Sequence, residues 1–162
     1  PVVAAVNGVA AGAGANIALA CDIVAASVKA SFIQAFSGIG LVPDSGGTAR
    51  LFQMAGHGLA ADLALTGRVM DAQEALRHGV VSRVVPESER EATAREIAET
   101  VAASPAFTVK MAKRNMALIA DEVVRRSITE EATTQTLVFA SQDYAEMKAA
   151  RAEDRKPTWR RR

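Results

Sequence analysis

Residues 1–27 read PVVAAVNGVAAGAGANIALACDIVAAS, a stretch in which short apolar runs alternate with glycine turns. The run Val2–Val6 predicts a buried strand, and Asn7-Gly8 predicts the turn that ends it. Gly12-Ala13-Gly14 indicates a tight backbone passage that opens a short helix at Asn16–Ala20. The chain therefore starts with a strand, a turn and a helix in quick succession.

Further along, strand signals give way to helix signals. Strands are predicted at Asp22–Ala26 and Ala30–Ile33, and strands separated by short helices favour an α/β fold. Asp71 is predicted to cap a helix ending at His78-Gly79, because Glu74 follows it at capping-box spacing. The other predicted elements are helices at Thr48–Met54, Leu59–Leu65, Glu89–Ala103, Pro105–Ala120 and Arg125–Arg151 and a strand at Val80–Val85.

The composition is that of a folded chain without a strong charge bias. Its 162 residues are 49% hydrophobic and carry a formal net charge of +1, which favours neither nucleic acid nor a membrane as partner. The single cysteine, Cys21, excludes an intrachain disulfide. The basic tail, residues 155–162, is interpreted as a solvated terminus, with contact to a phosphate-bearing ligand as the alternative.

The start of the chain bears on its location and extent. It has neither the basic start and cleavage site of a signal peptide nor an apolar run of bilayer length, so a cytoplasmic location is expected. Pro1 leads directly into the apolar run Val2–Val6, which would leave a core or edge strand half-covered. We therefore expect the sequence to be a piece of a longer chain.

The glycine passage is the first segment that could carry chemistry. A helix that starts immediately after such a passage leaves backbone NH groups unpaired, and its dipole adds partial positive charge there. Gly12-Ala13-Gly14 is therefore a candidate anion site, with a tight turn that needs small residues for packing as the alternative. A dinucleotide fingerprint is disfavoured, because the third glycine of that motif is absent.

The second such segment is residues 40–48, GLVPDSGGT. Pro43 fixes the approach to Asp44, and two glycines then let the backbone pass close to a neighbour. Asp44 or Ser45 can cap the following helix, whereas an Asp44 carboxylate beside an apolar approach can instead move a proton. Both roles of Asp44 stay open at this point.

PVVAAVNGVAAGAGANIALACDIVAAS and GLVPDSGGTARL resemble the central signature of the crotonase superfamily, which contains the enoyl-CoA hydratases and isomerases. LALTGRVMDAQEALRHGVVSRVV resembles the segment that follows it, and the match extends to AEDRKPTW. The resemblance implies an α/β fold: the C-terminal part of the family's β-β-α spiral over residues 1–85, then a helical trimerisation region over residues 86–162. It also implies an acyl-CoA substrate and a homotrimer or a dimer of trimers.

The resemblance assigns roles to single residues. Family members hold the thioester oxygen between two backbone NH groups, and the Ala13 amide matches one of them. Family hydratases position water with two glutamates, but the matching positions here are the uncharged Asn16 and Phe36. Asp44 stands where some family isomerases and related members place a single carboxylate, so an isomerase is predicted. The stretches NGVAAGAGAN and FIQAFSGIGLVPDSGG most resemble the ring-epoxide/oxepin-CoA isomerases of phenylacetate degradation. The predicted substrate-binding residues are Gly12, Asn16, Phe36, Leu41 and Pro43.

Other interpretations remain beside the isomerase. A hydratase of the same fold is one, a truncated non-catalytic protein that binds acyl-CoA is another, and a nucleotide-binding module is disfavoured by the glycine spacing. No cofactor is expected beyond the coenzyme A of the substrate. No metal is expected either, because His57 and His78 are isolated and lack ligand spacing. Trp159 and the arginines around it could reach the coenzyme A nucleotide of a neighbouring subunit, or form a frayed tail.

Overall fold

The computed structural model of the chain describes residues 1–159. Its strands are β1 (Val3–Val6), β2 (Val9–Ala11), β3 (Ile23–Ser27), β4 (Ser31–Ile33), β5 (Val69–Asp71) and β6 (Arg83–Val85). Its helices are α1 (Ala13–Leu19), α2 (Gly47–Thr66), α3 (Ala72–Arg77), α4 (Arg90–Ala102), α5 (Ala106–Phe139) and α6 (Gln142–Ala152). Short 3-10 turns lie at Ser37–Ile39 and Glu87–Glu89.

The first four strands alternate between two small sheets. β1, β3 and β6 form a parallel sheet in the order β1-β3-β6, with Val3 opposite Ile23 and Ala26 opposite Val84. In the second sheet β4 lies between β2, which runs parallel to it, and β5, which runs antiparallel. The predicted α/β fold is confirmed, and the glycine turn lies where β2 passes into α1.

One hydrophobic core joins the sheets to the helices. α1 contributes Ala15 and Leu19, which are four residues apart and so lie on one face of the helix. α2 contributes Leu63, and β5 contributes Met70. Leu19, Leu63 and Met70 are among the largest fully buried side chains of the described residues, so they anchor the elements that hold the glycine turn.

Three short strands and one helix start differ from the sequence prediction. β2 and β5 have three residues each, too few for an alternating pattern to reveal them. α1 begins at Ala13 rather than Asn16, because Gly12 adopts φ 55° and turns the chain into the helix at once. β6 is confined to Arg83–Val85, where the predicted strand began at Val80.

The residue that caps the start of α2 differs from the predicted one. The capping residue is Gly46, and neither Asp44 nor Ser45 caps this end with its side chain, so the prediction that one of them caps the helix is wrong. Ser45 (φ 58°) and Gly46 (φ 76°) turn the backbone left-handed before the helix begins. The predicted break at Gly56 (φ 74°, ψ 169°) is a kink inside one helix.

The capping prediction for α3 is confirmed. The Glu74 NH donates to the Asp71 carboxylate at 2.7 Å. Arg68 in turn donates to the carboxylates of Glu74 and Asp62, which joins the end of α2 to α3. This network fixes the connection through β5.

The helical region predicted after Pro86 is present, but its boundaries differ. α5 runs without interruption through residues 121–124, where a break was predicted, because no glycine or proline occurs between residues 106 and 139. The break falls instead at Ser141, whose hydroxyl accepts from the Tyr144 NH and caps α6. No helix within residues 1–159 is both long and apolar enough to cross a membrane.

We expect a matched pair of variants to show that α2 stabilises the fold by packing into the hydrophobic core. Leu63 is 2% exposed and Leu65 is 76% exposed on the same helix, so they separate packing from helix propensity. Leu63→Ala should lower the free energy of unfolding by about 2–5 kcal/mol, whereas Leu65→Ala should change it by less than about 0.5 kcal/mol. Urea unfolding followed by circular dichroism measures both, and equal losses would contradict this packing.

Candidate active site

The predicted anion site lies between β2 and α1. The Gly12 NH donates to the Ile33 carbonyl at 2.9 Å, which ties the turn to the end of β4. Phe36 is buried, and a Cβ added to Gly12 would lie 3.5 Å from its Cζ atom. The turn therefore requires glycine for its positive φ, and the Phe36 ring forms its wall.

The Ala13 amide is free at the start of α1. Ala13 is the first residue of the helix and is exposed. The first backbone NH to bond within the turn is that of Asn16, which donates to the Gly12 carbonyl at 3.1 Å. Within residues 1–159, no acceptor is recorded for the Ala13 NH, so it is available to an outside oxygen.

Asn16 is fully buried and joins three segments. Its Nδ2 donates to the Asp44 carbonyl at 2.8 Å, and its Oδ1 accepts from Gln34 Nε2 at 2.8 Å. A Cβ added to Gly47 would lie 2.1 Å from Asn16 Nδ2, so α2 must begin with a residue that has no side chain. Asn16 therefore links the start of α1, the end of β4 and the start of α2.

Asp44 lies in the loop that precedes α2 and is half-buried. Its carbonyl accepts from Asn16 Nδ2 and, at 2.9 Å, from the Gly47 NH, so the backbone at Asp44 is fixed. Its Oδ1 accepts from the Ser45 hydroxyl at 2.9 Å. Because this carboxylate does not cap α2, it is not committed to holding the helix.

Two polar side chains of α5 hold the same loop and were not identified from the sequence. Glu131 is 7% exposed; its Oε2 accepts from the Gly46 NH at 2.8 Å and its Oε1 from the Thr48 NH at 3.1 Å. Gln135, one turn further, accepts from the Val42 NH at 3.1 Å. The pair lies four residues apart in a polar stretch of helix, a spacing too common to predict a role.

The other predicted substrate-binding residues lie around this loop. Leu41 is half-buried, and its NH donates to the Phe36 carbonyl at 2.9 Å. Pro43 lines a cavity beside α2. Trp159 lies against the loop of its own chain, because a Cβ on Gly40 would be 3.6 Å from its indole ring. The tail arginines at residues 160–162 lie outside the described residues.

The histidines are apart from this arrangement. His57 makes an edge contact with the Phe52 ring, with ring centroids 5.8 Å apart, and His78 ends α3. Within residues 1–159, no group of three or more His, Cys, Asp or Glu side chains is placed to hold a metal ion. Asn16 thus joins the helix that starts at Ala13 to the backbone of Asp44, and Glu131 holds the loop that carries Asp44 from the side of α5.

The family of the chain follows from comparison with known proteins. Residues 1–162 match the family described as enoyl-CoA hydratase/isomerase. The chain belongs to this family, within the crotonase superfamily.

Individual relatives give the extent of the likeness. The chain is 39% identical to the 1,2-epoxyphenylacetyl-CoA isomerase of Escherichia coli, over 97% of the chain and 60% of that protein. It is 46% identical to the short-chain-enoyl-CoA hydratase of Clostridium acetobutylicum, over 70% of the chain and 44% of that protein. The crystal structure of an enoyl-CoA hydratase/isomerase from Pseudoalteromonas atlantica superimposes with a TM-score of 0.93 at 38% identity, covering 98% of this chain and 64% of that one. The chain thus spans less than two thirds of the length of each.

The contacts of Glu131 predict a measurable effect on stability. Glu131→Ala leaves the NH groups of Gly46 and Thr48 without their acceptor, so it should lower the free energy of unfolding by about 1–3 kcal/mol. Glu131→Gln keeps an acceptor oxygen and should lose less. Glu130→Ala, at an exposed neighbouring position, is the control and should stay within about 0.5 kcal/mol of the unaltered chain. Equal stability of the two alanine variants in urea unfolding would contradict the contact.

Proposed function

We propose that the chain contributes the site of an acyl-CoA isomerase that shifts a double bond through an enolate stabilised at the thioester oxygen. The observation that carries the proposal is Asp44: a carboxylate on a rigid loop that does not cap the following helix. Membership of the enoyl-CoA hydratase/isomerase family supplies the substrate class. The step needs no cofactor beyond the coenzyme A of the substrate.

The Ala13 amide is proposed to hold the thioester oxygen. It lies at the exposed start of α1 with no recorded acceptor within residues 1–159. As the enolate forms, negative charge collects on that oxygen, and a preorganised NH donor lowers the barrier because it needs no rearrangement. The loss of one such donor costs roughly 10²–10³ in rate in other enzymes. Phe36, which walls the Gly12 turn, and Leu41 are proposed to contact the acyl group.

Asp44 is proposed to move the proton. Its carboxylate removes a proton from one carbon of the acyl chain, the electron pair passes into the conjugated system as the enolate, and the same carboxylic acid returns the proton to another carbon. One carboxylate is sufficient for this exchange. The product differs from the substrate only in the position of the double bond, so atoms and charge balance.

The hydratase is the second candidate, and the names of several relatives favour it. Addition of water needs a group that activates it. Asn16 is engaged on both sides of its amide by Asp44 and Gln34, and Phe36 has no ionisable group, which supports isomerisation over hydration. The two reactions are distinguished by assaying both on one set of variants.

Asp44→Asn is the direct test, measured on the polypeptide that contains this chain. It removes basicity but keeps size, so kcat for isomerisation of an unsaturated acyl-CoA should fall by about 10² or more, with Tm nearly unchanged. Asp71→Asn changes an aspartate that does cap a helix and is the control: because asparagine caps a helix nearly as well as aspartate, activity and stability should both be kept. Efficient hydration that survives Asp44→Asn would overturn the isomerase proposal in favour of a hydratase.

We also propose self-association of the chain as a homotrimer or dimer of trimers through α5. Met116, Ile119 and Val123 are 60%, 82% and 54% exposed and lie on one face of the helix, where water would otherwise cover apolar surface. Light scattering should show an oligomer, which Ile119→Lys weakens and Asp121→Lys, on the opposite face, does not. A monodisperse monomer of the unaltered chain at micromolar concentration would contradict this.

A further inference from the structure

Ser45 has an uncommon backbone conformation in the loop before α2. Its φ of 58° lies in the left-handed region, which disfavours residues with a Cβ and is usually occupied by glycine. Among residues 1–159, Asp154 is the only other residue with a Cβ and a positive φ. Glycine would fit position 45 with less strain, so the backbone geometry does not account for the serine.

Contacts on both sides of Ser45 hold this conformation in place. The Asp44 carbonyl, which precedes it, accepts from Asn16 Nδ2 at 2.8 Å. The Gly46 NH, which follows it, donates to Glu131 Oε2 at 2.8 Å. Because both neighbours are bound to other helices, the chain cannot relax at Ser45. Strained residues that the surrounding structure fixes in this way cluster at functional sites.

The side chain of Ser45 contacts the Asp44 carboxylate. Its hydroxyl donates to Asp44 Oδ1 at 2.9 Å, and no partner is recorded for Asp44 Oδ2 within residues 1–159. The torsion that turns the carboxylate of an aspartate is soft, so an unbound carboxylate samples a wide range of orientations. The hydrogen bond from Ser45 restricts that range and distinguishes the two oxygens of Asp44.

We propose that Ser45 is a positioning residue for Asp44: its hydroxyl holds Oδ1 and leaves Oδ2 to carry the proton. The chemistry of this inference rests on the proposed function. The proton that leaves the first carbon binds to Oδ2, and the hydrogen bond at Oδ1 keeps the carboxylic acid from turning away. The same oxygen then returns the proton to the second carbon, so neither residue is altered at the end of the cycle.

Two variants of the polypeptide that contains this chain test the role of the hydroxyl. Ser45→Ala and Ser45→Gly should each lower kcat for isomerisation about tenfold, as the loss of one hydrogen bond allows, and change KM less than about twofold. Ser45→Gly should keep its Tm, because glycine adopts this backbone without strain. A kcat within about twofold of the unaltered protein, or a loss of kcat that only parallels a loss of Tm, would refute the positioning role.

Matched controls separate the hydroxyl from the substitution itself. Ser104→Ala removes an exposed hydroxyl that donates to the Thr100 carbonyl at 3.2 Å, at the end of α4. Asp154→Gly places glycine at the other residue with a positive φ, which is also exposed. Both should leave kcat and KM unchanged. Losses as large as those of the Ser45 variants would show that the effect is not specific to Asp44.

A double variant tests whether Ser45 acts through Asp44. When Ser45→Ala is added to Asp44→Asn, kcat should fall no further, because no carboxylate remains to be held. A full tenfold additional loss would contradict the inference.

Crystal structures of the same polypeptide judge the positioning role without an assay. The Asp44 side chain should have one orientation in the unaltered protein and more than one in Ser45→Ala. A single, unchanged orientation in Ser45→Ala would overturn the inference whatever the kinetics show. If Asp44→Asn keeps its kcat, the proposed function fails, and the comparison of the two crystal structures still decides whether Ser45 holds the carboxylate.

Discussion

The buried amide of Asn16 is the contact on which the arrangement of the site depends. It spans three segments far apart in sequence, because it donates to the backbone of Asp44 and accepts from the side chain of Gln34. Both partners are needed, since an amide removed from water without them would oppose folding. The close approach of Gly47 is a consequence: the helix α2 can reach the amide only because its first residue lacks a Cβ.

Helix α5 holds the loop from the other side. Glu131 and Gln135 accept from three NH groups of the segment that carries Asp44, and Val124 packs against Gly46, where an added Cβ would lie 3.2 Å away. The backbone NH groups at the start of α2 thus donate to a carboxylate from a distant helix instead of to side chains near the start of α2 itself. Negative charge is also favourable there, because it faces the positive end of the helix dipole. The long helix is therefore part of the site as well as a candidate surface for association.

The sequence predicted what local patterns encode and missed what tertiary contacts decide. The strands at Val2–Val6 and Asp22–Ala26 and the cap at Asp71 were predictable, because apolar runs and capping spacing act over a few residues. The cap of α2 was not, because a carboxylate 83 residues away replaces the local candidate. The glycine turn and Asp44 were identified as separate motifs, but their connection through Asn16 and Gln34 required the fold. β2 and β5 were not predicted, because a strand of three residues is too short to show an alternating pattern of apolar and polar side chains.

The direction of the hydrogen bonds through Asn16 also limits which side chains position 16 can hold. A hydratase-like glutamate at this position would place a longer, charged side chain in a site with no exposure, against a backbone carbonyl that cannot donate to it. The same substitution would remove the donor that Asn16 Nδ2 provides to the Asp44 carbonyl, although a carboxylate oxygen can still accept from Gln34 Nε2. A glutamate at position 16 therefore conflicts with the complete burial of this site and with the Asp44 carbonyl that faces it.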